Sequence, residues 1–361
     1  MKYNKILIIL LTLLPAAIIS AQNETEVRSF MKTVRVGKET SLQILNKYGT
    51  IHITPWDKDS ASIRAEVKAF APNQARLTKM FNGISINITE AGSIVRAQTE
   101  FTENIGMLFE NFKGMTSKII AYDSRVEINY YISIPEYLNL RIENKYGDVY
   151  MENNSGTLSV LVSNGTFKAN SIGSRSTLTL AFCNARINYI ASGKIDASFS
   201  EINIGETGDL TINSISSKYE ITKAEVIITE SRRDKFFIHN VGSLKGNSYF
   251  TDFNMNSVRK EIDLTARYGS VTADVIDRGF ETIVINSGYS DLSLGFDQAA
   301  SYKFDIRHIN SYVVLPDKDT KSEKKAINED KKEYITYGTT GKNQGTSSVR
   351  IDANRGNIYL K

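Results

Sequence analysis

The side chains that could do chemistry in this 361-residue chain are sparse and widely spaced. Glu201, Glu220, Asp252 and Asp291 each stand near a turn between two alternating apolar stretches. Paired carboxylates at a set separation are what glycoside hydrolysis requires, one as acid and the other as base or nucleophile. A parallel β-helix could stack such groups on adjacent coils. Acids at matched positions are few here, however, so a polysaccharide lyase or glycoside hydrolase is the alternative reading. Asp57 and Asp59, like Asp317 and Asp319, form D-K-D pairs that could converge on a hard cation; their turn-like, lysine-containing surroundings read as solvated turns. His52, His239 and His308 are far apart and lie in no H-x-H or H-E-x-x-H setting, so no metal pair is expected.

Cys183 is the single cysteine. It excludes an intramolecular disulfide and a thiolate cluster, and inside "LTLAFCNARI" it reads as a small buried residue. Neither a nucleophile elbow nor a Walker loop nor a dinucleotide fingerprint is present. The expectation is a protein that is not an enzyme, with no catalytic residue, cofactor or metal. What recurs instead is an aromatic corner, and Tyr146, Tyr268 and Tyr289 are its candidate binding face.

Those corners define the elements. "NKYGTIH" (46–52), "NKYGDVY" (144–150) and "ARYGSVT" (266–272) repeat one plan, in which an alternating strand, a short corner and a second alternating strand follow one another. Taking the apolar residue after each corner gives Val149, Phe167, Ile187, Ile202, Ile221, Phe253, Val271, Leu292, Val313 and Ile358. Most of their spacings lie near 20 residues. Period-two alternation, as at Leu140 and Ile142 or Val271 and Ala273, marks half-buried strands.

The second corner position is aromatic or Asn (Tyr146, Asn164, Asn184, Phe199, Phe250, Tyr268, Tyr289, Asn310). The next is Gly or small (Gly147, Gly165, Ala185, Ser200, Gly269, Ser290). Gly or Asn there is expected to supply positive φ, and the aromatics to stack on their copies. So short a unit cannot bury its own apolar face; stacked neighbours can. The expected fold is therefore all-β, a single-stranded parallel β-solenoid with coils of about 20 residues from 135 to 361 and a small α/β N-terminal cap over 22–134. A β-sandwich is the rival.

Two segments break the spacing. "SRRDKFFIHNVG" (231–242) reads as an excursion. The run 317–348, with its lysine-rich "KSEKKAINEDKK", reads as a charged loop insertion. In the cap, "PNQARLTKMFNGI" (72–84) predicts a short helix with Leu77, Met80 and Phe81 on one face. The apolar segment 103–119 is either an amphipathic helix or a loop, and covering the open end of the stack is its expected role.

Residues 1–21 have the form of a signal peptide, with Lys2 and Lys5 ahead of the apolar run 6–19 and a cleavage point after Ala21. The formal charge of +4 would fall to about +2 on its removal. A nearly neutral chain offers no pull toward nucleic acid, and no later stretch is apolar enough to span a membrane. The chain is thus expected to be exported, to the periplasm or cell surface, where its partner would be an envelope protein or a glycan.

"LNKYGTIHITPWDKDSASIRAEV" (45–67) and "YYISIPEYLNLRIENKYGDVYMENNSGTL" (130–158) resemble the DUF4097-type "putative adhesin" family of exported proteins, common in Bacteroidetes. The shared marks are the N-x-Y-G-x-[IV] corner, the Trp56-Asp57 turn and the entry at 134–140. The resemblance covers most of the mature chain. It implies a β-solenoid at the envelope or surface of a Gram-negative bacterium and carries no catalytic residues with it.

Overall fold

A computed structural model describes residues 24–102, 124–342 and 346–361. Residues 1–21, expected to be a signal peptide, and the 103–119 segment lie outside the described residues. No helix among the described residues is long and apolar enough to cross a membrane. The chain is nearly all β.

The N-terminal part comprises β1 (Glu24–Arg35), β2 (Ser41–Lys47), β3 (Ile51–Pro55), β4 (Ser60–Ala71), α1 (Gln74–Asn82), β5 (Ile84–Ala91), β6 (Ile94–Phe101) and β7 (Arg125–Ile134). The middle runs through β8 (Asn139–Lys145), β9 (Val149–Asn154), β10 (Leu158–Ile172), β11 (Ser176–Ser198), β12 (Glu201–Ile215), β13 (Lys218–Arg232), β14 (Lys235–Tyr249), β15 (Asp252–Arg267), β16 (Ser270–Ile276), β17 (Thr282–Gly288) and β18 (Asp291–Phe296). The C-terminal part holds β19 (Tyr302–Val314), β20 (Thr320–Asn328), β21 (Glu333–Thr340) and β22 (Ser347–Leu360).

Through the middle every strand pairs in parallel with the strand one unit later. The register lines up one buried file: Ile51, Val149, Phe167, Ala185, Ile202, Tyr219, Phe236, Phe253, Val271, Leu292, Ile358. All are almost fully buried. A second file, with Met151, Ala169, Ile187, Ile204, Ile221, Ile238 and Met255, runs beside it. Within the first file Tyr219, Phe236 and Phe253 stack face to face, at centroid spacings of 4.6 and 4.9 Å. Those spacings match the distance between hydrogen-bonded strands, so ring stacking and backbone pairing reinforce each other.

The register corrects the sequence reading in three places. The repeat is 17 residues where β11 to β14 pair and 18 where β9 meets β10, rather than 20. Ile187 and Ile221 belong to the second file; Ala185 and Tyr219 hold the places assigned to them. A small alanine and a tyrosine in the interior hid the true interval. Consequently 231–242 is no excursion, because Phe236 continues the file.

Both ends depart from chain order. At the N-terminal end the β2–β3 coil lies between β8–β9 on one side and β6 with β7 on the other. β4 then pairs antiparallel with β7, β1 with β4, and β5 with β6. The predicted helix is present as α1, capped by the Asn73 side chain, and it buries Leu77, Met80 and Phe81. At the other end β22 slides between β17–β18 and β19. The lysine-rich run read as a loop is instead the hairpin β20–β21, laid antiparallel on β19. Its outer strand β20 is almost wholly exposed and studded with Lys, which discourages pairing at that edge.

Candidate functional site

Each corner has one residue in the left-handed region: Tyr48 (φ 65°), Tyr146 (58°), Asn164 (56°), Phe182 (54°), Phe199 (49°), Ser216 (52°), Arg233 (59°), Phe250 (55°), Tyr268 (58°) and Tyr289 (56°). The positive φ expected of Gly or Asn thus falls on the second corner position, carried by Asn as expected at Asn164 and Asn310 but by a ring at most of the others. Its N–H donates to a carbonyl of the neighbouring coil, as in Tyr146 N to Ser163 O (2.9 Å), Phe250 N to Arg267 O (2.8 Å) and Tyr268 N to Gly288 O (2.9 Å). The following glycines serve close approach instead. A Cβ on Gly147 would come within 1.9 Å of Gly49 O, and one on Gly269 within 1.9 Å of Thr251 O.

Left-handed backbone is costly for a residue with a bulky side chain. Stacking with the ring of the adjacent coil offsets part of that cost. Tyr48 and Tyr146 stack at 5.5 Å, Phe182 and Phe199 at 5.0 Å, Phe250 and Tyr268 at 5.0 Å, and Tyr268 and Tyr289 at 5.1 Å. Arg355 closes that last run, with its guanidinium 5.0 Å from the Tyr289 ring centre and Nη1 donating to Tyr289 Oη at 2.8 Å.

Of the proposed binding face, Tyr268 and Tyr289 are therefore neighbours, 41% and 48% exposed. Tyr146 stands at the far end of the column, half-buried against Tyr48. The most exposed corner ring is Phe182, at 58%, which sequence spacing missed because Asn184-Ala185 imitates a corner. The true corner is marked by the N–H of Cys183, which donates to the Ser200 hydroxyl one coil away.

On the inner side of the corner a buried polar file continues from Cys183. Backbone N–H groups of Cys183, Ser200, Ser217 and Asp234 donate to Ser200 Oγ, Ser217 Oγ, Asp234 Oδ1 and Thr251 Oγ1 respectively. The Asp234 carboxylate accepts from Ser214 Oγ (3.1 Å), Ser217 N (2.7 Å), Ser231 Oγ (2.6 Å) and Arg232 N (3.1 Å). Burial still pushes its carboxyl above the usual range. Cys183 is buried with Sγ donating to Val162 O, and burial raises its thiol, which keeps it unreactive. His308 is buried with Nε2 3.3 Å from Thr336 Oγ1, and burial lowers its pKa. His52 stacks between Tyr131 and Tyr150.

The four candidate acids are not brought together as a pair. Glu201, Lys218, Lys235 and Asp252 follow one another in a single outward file. Three strand steps put Glu201 and Asp252 about 14 Å apart, beyond the ~9.5 Å limit of an inverting pair. Glu220 sits in another file, between Asn203 and Phe237. Asp252 accepts from Ser270 Oγ at 2.7 Å, and Asp291 from Asn357 N at 2.8 Å. Among the described residues, no group of three or more His, Cys, Asp or Glu could hold a metal ion.

Sequence reasoning also missed a long open groove of about 990 Å³ beside the corner. Its floor is built from two outward files, Asp196–Asn213–Glu230–Asn247 and Ser198–Ile215–Arg232–Tyr249. Asn213 Nδ2 donates to Asp196 Oδ1 (2.9 Å), and Asn247 Nδ2 to Glu230 Oε1 (2.7 Å). Amides and carboxylates at strand spacing, with an aromatic beside them, suit a polyhydroxyl ligand.

No family model matches the chain, and no curated protein matches it. Among solved structures it is similar to a "putative cell adhesion protein" from Clostridium sporogenes, at 13% identity over 93% of this chain and 99% of that one, with a TM-score of 0.19. A "putative lipid binding protein" from Parabacteroides distasonis aligns at 9% identity over 92% and 96%, TM-score 0.28. A "putative adhesin" from the same organism aligns at 9% over 92% and 97%, TM-score 0.24.

Proposed function

We propose that the chain is a parallel β-solenoid acting as a non-enzymatic, exported envelope or surface protein that presents its corner column and adjacent groove to a partner. In this reading residues 1–21 are removed as a signal peptide. Residues 22–134 cap the stack and lend it the β2–β3 coil, and 135–361 form the remainder, with the 317–348 segment as the second cap. DUF4097 membership rests on the corner motif, the Trp56-Asp57 turn and the entry at 134–140. The observation that carries the function is the exposure of Phe250, Tyr268 and Tyr289 as one continuous run of stacked rings. A soluble surface has no need of such a run, whereas rigid aromatic area is what binding hot spots use.

The test is a glycan and envelope-protein binding screen on residues 22–361, repeated with Phe250, Tyr268 and Tyr289 all replaced by Ser. Binding that is lost while the fold is retained supports the reading; binding unchanged by the triple replacement sinks it. A second reading, a carbohydrate-active enzyme, has one observation in its favour. Asp196 and Glu230 face the groove two strand steps apart, about 9–10 Å, at the upper limit for an inverting pair. Shortening of the bound glycan in the same screen, abolished by Glu230→Gln, would establish it.

A further inference from the structure

The corner column holds three ring stacks, parted first by Asn164 and then by a wider break two residues long. Phe182 and Phe199 end one stack, Ser216 and Arg233 follow, and Phe250 begins the next. Ser216 has the same left-handed backbone as its ring-bearing neighbours, so the break is one of side-chain type and not of chain path. Phe199 is covered by Phe182 on one side at 5.0 Å and 4° interplanar angle. Its other face looks along the column toward Ser216, and 55% of the residue is exposed.

The break opens into a pocket of about 640 Å³ lined by Phe199, Ser216, Lys218, Arg233, Lys235 and Glu201 among others. Lys218 is paired with Glu201 at 3.0 Å. Arg233 and Lys235 have no ion-pair or ring partner among the described residues. Arg355, by contrast, lies over Tyr289 where the same column ends. Three strand steps separate the Phe199 and Phe250 rings, about 14 Å. That length holds one six-membered ring against Phe199 and the Arg233 side chain beyond it.

We propose that this break is a subsite for an acidic pyranose, a uronate residue of a polysaccharide. The sugar's C–H face would lie on Phe199, its hydroxyls against Ser216 and the Lys218–Glu201 pair, and its carboxylate on Arg233 and Lys235. A neutral sugar would leave two cations without partners, and a bare anion would leave the ring face uncovered. The subsite rests on the reading that the column binds a glycan.

The decisive variant is Ser216→Phe. Phe already occupies this conformation at 182, 199 and 250, so the replacement extends the Phe182–Phe199 stack by one ring and does not lower thermal stability. Calorimetric titrations of residues 22–361 would use hexamers of galacturonate, glucuronate and mannuronate, with maltohexaose as the neutral control. At least one uronate hexamer should bind, and Ser216→Phe should weaken it about tenfold or more, the equivalent of one lost stacking contact. Arg233→Gln should weaken uronate binding and leave neutral binding unchanged. Absence of binding by all three uronates, equal binding of maltohexaose, or unaltered binding in Ser216→Phe each overturns the subsite. If Ser216→Phe binds normally while the Phe250/Tyr268/Tyr289 replacement does not, the column binds glycan elsewhere and the functional reading survives.

Discussion

Gly147→Ala is the sharpest probe of the stacked corner. Gly147 is buried, and its φ is not left-handed, so alanine meets no backbone penalty of its own. The obstacle is the next coil. An added Cβ would stand 1.9 Å from Gly49 O and 2.8 Å from Gly49 C, where backbone cannot yield as a side chain would. Relief to ordinary contact means moving one coil off the other by more than 1 Å, an overpacking cost of about 1–3 kcal/mol.

The same carbonyl has a second duty. Gly49 O accepts from Asn144 Nδ2 at 2.9 Å, and Asn144 is wholly buried. Displacing the carbonyl weakens that bond; Asn144 Nδ2 keeps Asp148 O at 3.0 Å, so the loss is one net hydrogen bond, a further ~0.5–1.5 kcal/mol. Together these give about 1.5–4.5 kcal/mol. Hydrogen exchange on residues 22–361 measures the local opening energy directly. Protection of the amides at 149–154 should fall by a factor of about 10 to 2,000. Gly37→Ala, where nothing lies within 4 Å, is the control and should leave exchange unchanged. A Gly147→Ala protein as protected as wild type would refute coil-on-coil contact at this corner.

Phe236→Ala should cost about 3–5 kcal/mol in urea denaturation, because it removes the middle ring of the Tyr219–Phe236–Phe253 stack; a loss under 1 kcal/mol would contradict that packing. Asp234 has a folded pKa raised by burial, so the stability it contributes is complete below its ordinary value of ~3.9 and lost as pH rises through the folded value. The stability of wild type relative to Asp234→Asn should therefore shrink between pH 3.5 and 7, and growth over that range would mean the four donors outweigh burial. Removing 347–361 strips Val349, Ile351, Ile358 and Leu360 from the core, about 6–12 kcal/mol of apolar burial. Exchange protection of β19 and β21 should collapse while β10 to β13 keep theirs; retained protection in β19 would show that it does not depend on β22.

Much of the core was legible in the sequence because alternation is a property of the strand alone. Leu140 and Ile142, Val271 and Ala273, and the helical face of Leu77, Met80 and Phe81 point inward as their periodicities require. Ala185, by contrast, gives no apolar signal, so the stronger Ile187 displaced it in the reading and shifted a coil by two residues. The proposed binding face was legible only in part. Tyr268 and Tyr289 adjoin because they are one coil apart, whereas Tyr146 shares their motif and stands at the other end of the column.

By itself, then, the sequence determined that this is a β protein of repeated strand–corner–strand units with aromatics at the corners, since those are local patterns of side-chain type. The tertiary structure alone decided which unit lies on which. It set the 17- and 18-residue registers, placed positive φ on the rings, and slid β2–β3 and β22 into the stack out of chain order. The reason is physical: each coil presents the same apolar files and the same backbone edge, so local pattern cannot distinguish one neighbour from another. Only closure of the two ends, by antiparallel strands laid over the last parallel strand at each, selects a single order.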